Sequence, residues 1–193
     1  MSSTRFTQAT RRELNARQAE TVEKVVAAAQ RELREVGFDD MTVRTVAQRA
    51  GVAPATAYTY FASKNHLIAE IFWRRLAERP RLEETLTSPL GRVVGVFDDL
   101  ADFLAHDQVL AAATTSALLG TDPDVRQLRL MIGNEINERI AQALGDSASP
   151  RVLDALTLAW SGAMLQAGMG HAEYARLGER LAGVAKLVLG TGE

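Results

Sequence analysis

The chain of 193 residues contains no cysteine, which excludes disulfide staples, thiolate metal sites and a cysteine nucleophile. Histidine is scarce: His66, His106 and His171 are the three present, and they fall in separate predicted segments with no His-x-x-x-His pair. No Gly-rich phosphate loop occurs either. An all-helical enzyme would need a nucleophile and base, or metal ligands, at coherent spacing; none is found, and no metal or cofactor is called for. No run of 18 apolar residues is free of polar interruption, and Met1 to Gln18 is polar and Arg-bearing rather than a secretion signal. A cytoplasmic protein that makes no membrane contact is expected. Strand-like alternation of useful length and internal repeats are also lacking, so the expected fold class is all-α.

The net charge of −2 conceals an asymmetry. Residues 1–80 carry 13 Lys and Arg against 9 Asp and Glu, whereas residues 81–193 carry 9 against 15. A basic head on an acidic body points to a polyanionic partner for the head. Arg5, Arg11, Arg12 and Arg17 face only Glu13 in the first 17 residues, as expected either for a flexible arm that touches a nucleic-acid backbone or minor groove or for a solvated tail.

What is present in abundance is information between Thr42 and Lys64. A short amphipathic helix from Val43 to Ala50 ends at Gly51, whose missing Cβ permits the positive φ that reverses the chain, and Pro54 suits the first position of the next helix. Small residues at Ala47 and Ala50 let two helices cross closely. Val43, Val46, Val52 and Phe61 supply the apolar contacts beneath. This is the pattern of a helix-turn-helix. The helix from Pro54 to Tyr60 has no acidic residue and offers Thr56, Tyr58, Thr59 and Tyr60, whose hydroxyls suit phosphates and whose threonine methyls suit thymine. Arg44 can reach a guanine edge, a contact worth roughly 1–3 kcal/mol of discrimination, while Arg49 reads as a phosphate or solvent-facing charge. Ser63 is a natural N-cap, and Lys64 then sits in a first helical turn, where a cation opposes the helix dipole unless an anion binds nearby. The bland alternative is a helical hairpin whose Tyr58, Tyr60 and Phe61 form a core cluster.

The stretch resembles the TetR family of bacterial transcriptional regulators. Ala50-Gly51-Val52, Thr56-Ala57-Tyr58-Thr59-Tyr60-Phe61 and Ala62-Ser63-Lys64-Asn65-His66-Leu67 match the family pattern in order, and Val25 to Ala29 and Gly37-Phe38 extend the match upstream, to about residues 20–75. The resemblance implies base-edge contacts from Arg44, Pro54, Ala55 and Thr56 and phosphate contacts from Thr42, Tyr58, Tyr60 and Lys64. Ala53 and Ala55 depart from the Ser or Thr and Gly common in the family, which leaves the reading surface apolar and gives thymine methyls and DNA shape more weight.

Beyond Pro80 the pattern is helical, punctuated at Ser88-Pro89, Gly120 to Pro123, Gly145 to Pro150 and Gly170. Asp98, Asp99 and Asp102 lie opposite the apolar face of Val93, Val96, Phe97, Leu100, Phe103 and Leu104, as a solvated face rather than a cation site. The segment from Pro150 to Gly170 is apolar all round, with Val152, Leu153, Ala155, Leu156, Leu158, Ala159, Trp160, Ala163, Met164, Leu165 and Met169. Such a helix must be covered on every side. One face suits the body and the other a second subunit, joined by the next helix in a two-fold four-helix interface. The expected interface residues are Leu153, Leu156, Trp160, Ala163, Tyr174, Leu177, Leu181, Val184 and Val188; a monomer with one central helix is the alternative. The family resemblance further implies a small-molecule effector bound in the body. Candidate lining residues are Phe72, Trp73, Phe97, Phe103, Leu118, Met131, Trp160 and Met164, with Asn134, Gln166 and His106 as polar anchors, all of which are equally compatible with ordinary core or surface roles. The scarcity of polar anchors favours an apolar ligand.

The expected organisation is a basic arm at 1–17, a DNA-binding head at 18–66 and a ligand-binding and dimerisation body at 67–193. The leading reading is a homodimeric repressor that binds double-stranded DNA at a palindromic operator and is released by the ligand. An activator or a sequence-blind DNA-binding protein differs only in output. A helical adaptor that dimerises without binding DNA is the reading from another class.

Overall fold

The computed structural model describes residues 16–81 and 88–190, so positions 1–15 of the expected arm lie outside the described residues. Among the described residues there are nine α-helices and no strand. They are α1 (Ala16–Asp40), α2 (Val43–Arg49), α3 (Pro54–Tyr60), α4 (Lys64–Glu78), α5 (Pro89–His106), α6 (Gln108–Leu119), α7 (Arg126–Leu144), α8 (Pro150–Gly168) and α9 (Leu177–Leu189). None is long and apolar enough to cross a membrane.

The helices start where short polar side chains can satisfy their first N–H groups. Ser63 accepts from the His66 amide, Ser88 from Gly91 and Ser149 from Val152. Two glycines place the head's corners. Gly37, at φ 80°, breaks α1 before its last residues, and Gly51, at φ 69°, reverses the chain after α2. At the second corner the Gly51 amide donates to Gln48 O and the Val52 amide to Ala47 O, the paired bonds of a Schellman C-cap.

The chain forms two compact units. The first contains residues 16–79 with 113–131, so the boundary at 66/67 expected from the sequence falls inside α4 and this unit also takes in a segment from the middle of the chain. Its core joins Val22, Val25, Ala29 and Leu33 of α1 to Val46 and Ala47 of α2, Ala57 of α3, Phe61, and Leu67, Ile68 and Ile71 of α4, all buried. Each large member contributes about 1.5–3 kcal/mol by leaving water.

The second unit contains residues 80–112 with 132–190. Here α5 packs on α9 so closely that a Cβ at Gly178 would overlap Asp98 Oδ1, and the Phe97 and Trp160 rings stack 6.4 Å apart between α5 and α8. Of the aspartates of α5, Asp98 and Asp102 are exposed, as expected of a solvated face, whereas Asp99 is half-buried and stands 4.0 Å from the buried Arg139 guanidinium. Arg139 and Arg81 both bond Glu135, at 3.0 Å each, and Arg81 also bonds Glu138 at 2.9 Å. These hydrogen bonds hold the Arg81 pKa above its usual value, Glu138 contributing most.

Within the chain α8 is covered on one side only, in keeping with the expectation of one face for the body and another left over. Leu156, Trp160 and Met164 are buried, but Leu158 is 64% exposed. The same split divides α9, where Leu177 and Leu181 are buried and Leu187 is 87% exposed.

Candidate DNA interface

The cap residues of α2 set the position of its exposed side. Thr42 Oγ1 accepts from the Thr45 amide at 3.0 Å, while Thr45 Oγ1 accepts from the Thr42 amide at 3.1 Å, a reciprocal capping box. Thr42 thus has a structural task beside the phosphate contact expected of it. Arg44, one residue into α2, is exposed. In α3, Pro54 occupies the first turn and Ala53 provides no side-chain cap. Ala55, Thr56, Tyr58 and Thr59 are exposed and Pro54 half-exposed, whereas Ala57 faces inward. Tyr58 presents 47% of its surface, but Tyr60 only 6%, so Tyr60, expected at a phosphate, belongs chiefly to the core. Arg44, Ala55, Thr56 and Tyr58 thus form an exposed set on α2 and α3, with no carboxylate on α3.

Two cations are committed inside the head. Arg49, expected to face phosphate or solvent, is exposed and also clamps α2 to α1: its Nε donates to Glu32 and its Nη2 to Glu35, each at 2.5 Å. The bond from Arg49 is the main cause that lowers the Glu35 pKa below its ordinary value, and the bonds to Glu35 and Glu32 raise that of Arg49. No local signal announced this clamp, because Glu32 and Arg49 are 17 residues apart. Lys64 resolves its conflict with the α4 dipole by reaching the last residues of α1. Its Nζ donates to Phe38 O and Asp39 O, both at 2.8 Å, and stands 4.7 Å above the Phe38 ring. These carbonyls follow the break at Gly37, so the ammonium is held by two charge-assisted hydrogen bonds, and the ring face adds a cation–π contact. A third N–H of the ammonium remains beyond these two bonds.

The candidate effector residues divide between the units. Phe72, Trp73, Leu118 and Met131 belong to the first, and Phe97, Phe103, Asn134, Trp160, Met164 and Gln166 to the second. Phe72, Trp73, Phe97, Trp160 and Met164 are buried; Phe103, Leu118 and Met131 are half-buried. Asn134 and Gln166 are exposed, and Gln166 Oε1 accepts from Arg180 at 2.7 Å. They are surface groups of the isolated chain rather than interior anchors, since on a helix the residue type alone does not say which way it faces. The Nε1 of Trp73 and the hydroxyl of Thr114, neither of which the sequence marks out, are buried with no hydrogen-bond partner among the described residues.

The expected interface residues also sort by burial. Leu156, Trp160, Tyr174, Leu177 and Leu181 belong to the chain's own core and are closed to a partner, while Leu153, Ala163, Val184 and Val188 are half-buried. The apolar surface these helices leave open is instead headed by Leu158 and Leu187. The signal was the all-apolar circumference of α8, but which side the body covers is set by packing.

Residues 25–71 match the family model described as "Bacterial regulatory proteins, tetR family". An uncharacterized HTH-type transcriptional regulator of Mycobacterium bovis is 46% identical over 177 residues, covering 91% of this chain and 83% of that protein. The fold is similar to that of a TetR transcriptional regulator from Rhodococcus sp. RHA1, with a TM-score of 0.71 at 20% identity over 88% of this chain and 98% of that one. It is also similar to Thermus thermophilus FadR, a TetR family transcriptional repressor in complex with lauroyl-CoA, with a TM-score of 0.65 at 22% identity over 87% and 93% of the two chains. With the capped helix-turn-helix and its exposed reading face, these relationships show that the chain belongs to the TetR family of DNA-binding, helix-turn-helix transcriptional regulators and is not an enzyme.

Proposed function

We propose that this regulator is a cytoplasmic repressor that binds a palindromic operator as a homodimer, one α3 in each major-groove half-site, and leaves the DNA when a small apolar ligand binds its body. The carrying observation is the exposed set Arg44, Ala55, Thr56 and Tyr58, with Pro54 beside them and no carboxylate on α3. Arg44, Pro54, Ala55 and Thr56 take the base edges; Thr42, Tyr58 and the free edge of Lys64 take phosphates.

Dimerisation is supported by the apolar residues that α8 and α9 leave open, Leu158 and Leu187 the most exposed among them, and a two-fold dimer matches a palindrome. The ligand reading is supported by the similarity to a repressor that holds lauroyl-CoA and by the two buried polar atoms, Trp73 Nε1 and Thr114 Oγ1. Both can donate to an oxygen acceptor, which favours an apolar molecule that carries a carbonyl.

The test is to select DNA fragments from the source genome with the purified full chain and measure affinity at two salt concentrations. Recovery of a shared palindrome bound specifically supports the reading. Binding that is sequence-blind and strongly salt-dependent defeats it, and dimerisation without any DNA binding favours the adaptor.

A further inference from the structure

The corner between α3 and α4 is held from a distant part of the chain. Phe61 and Ala62 alone separate the last residue of α3 from Ser63, the N-cap of α4. Ser63 Oγ accepts from the His66 amide at 3.0 Å, and its hydroxyl donates to Asp122 Oδ2, 59 residues away and within the same compact unit. The other oxygen, Asp122 Oδ1, accepts from the Asp124 amide at 2.9 Å and starts the short turn Pro123–Val125. That turn is anchored by the fully buried Val125. The loop is braced on its far side as well, because Arg129 donates to Leu118 O and Gly120 O, each at 2.6 Å. On the near side the Ala62 amide donates to His66 Nδ1 at 3.3 Å, and the His66 ring meets Phe61 edge-on at 5.9 Å.

We propose that Asp122 is a positioning residue for the DNA-reading helix. A serine cap can accept an amide N–H with its own proton pointing anywhere, so the cap alone leaves the hydroxyl a rotor. A carboxylate partner fixes that proton in a charge-assisted bond and places negative charge at the positive end of α4. The α3–α4 corner is thereby tied to residues 118–129, and a displacement of that segment reaches α3 through two intervening residues. The proposal rests on the reading of α3 as the element that enters DNA.

The test compares Asp122→Ala, Asp122→Asn, Ser63→Ala and the Asp122→Ala/Ser63→Ala double variant as full chains without DNA, by hydrogen exchange. Asp122→Ala is expected to speed exchange of the amides in 54–66 by about tenfold or more, the scale of one hydrogen bond to a charged group, with α8 and α9 unchanged. Ser63→Ala should act alike, and the double variant should add little to either. Asp122→Asn should restore most of the protection, since its amide can donate to Ser63 while its oxygen accepts from Asp124. Loosening confined to 118–129, with 54–66 unmoved in Asp122→Ala and Ser63→Ala, would show that Asp122 only caps its own turn and would overturn the proposal. If Asp122→Ala fails to fold, Ser63→Ala and Asp122→Asn carry the same comparison. On DNA recovered with the wild-type chain, Asp122→Ala should lower the ratio of specific to non-specific affinity while leaving the salt slope intact, because a carboxylate makes no phosphate contact. Exchange is read without DNA, so failure of the operator reading leaves this test standing.

Discussion

Leu187→Glu separates the two uses to which α9 puts its leucines. Leu181 is 1% exposed and belongs to the core, whereas Leu187 is 87% exposed and touches little of its own chain. Burial of a leucine side chain against a partner is worth about 2 kcal/mol, and a two-fold dimer contains the residue twice. Loss of that burial therefore costs about 4 kcal/mol of association, or about 10³-fold in the dimer Kd, before the cost of desolvating two carboxylates is counted. The monomer fold should be untouched, since the side chain it alters is already in water. Sedimentation or light scattering over a dilution series reads the dimer; a helical circular-dichroism spectrum reads the fold. The expected result is a folded monomer that retains weak, salt-sensitive DNA binding and loses cooperative binding to the palindrome. Leu181→Ala should do the reverse, lowering thermal stability by about 2–5 kcal/mol through the cavity it leaves. A Leu187→Glu chain that dimerises with the wild-type Kd would refute the assignment of this surface, and with it the geometric basis for a palindromic operator.

Lys64→Ala should lower the melting temperature, through loss of the bonds to Phe38 and Asp39 carbonyls, on the order of 1–3 kcal/mol. It should also flatten the plot of log K against log salt by about two phosphates per dimer; a lower melting temperature with an unchanged slope would assign Lys64 wholly to the α1 contact. The Arg49 clamp predicts acid sensitivity. Because the Glu35 pKa is lowered in the fold, its contribution is complete above the ordinary value of 4.5 and disappears as the pH falls through the lowered one. Arg49→Met should flatten the melting temperature over that window, and an unaltered pH profile would show that the clamp adds nothing to stability. Thr114→Val replaces a buried, unpartnered hydroxyl by a methyl of similar size. It should leave the melting temperature unchanged or higher, whereas a lower value would mean that the hydroxyl is bonded in the native protein.

Local chemistry carried much of the head. Gly51 had to end α2 because the left-handed turn there admits glycine at least cost, and Ser63 had to start α4 because its hydroxyl satisfies an otherwise orphaned amide. The exposed reading residues followed from helical phase over two short helices. Tyr60 shows where that reasoning thins out. Two residues after the exposed Tyr58, it turns almost wholly inward, because one small rotation of a seven-residue helix decides which aromatic ring the core takes.

The sequence by itself determined that this is an all-helical TetR regulator with a basic DNA-reading head, since periodicity, caps and the motif from Thr42 to Lys64 act over a few residues. Only the tertiary structure decided how the charges and leucines are used. Arg49 meets Glu32 and Glu35 in α1, Lys64 meets the Phe38 and Asp39 carbonyls rather than opposing α4, Leu187 points away from the body that Leu181 joins, and Ser63 meets Asp122. Each of these depends on two segments brought together by burial of the apolar residues between them. A hydrogen bond or ion pair of that kind leaves no periodic trace in the chain, because it fixes only the two residues it joins and not the spacing that separates them.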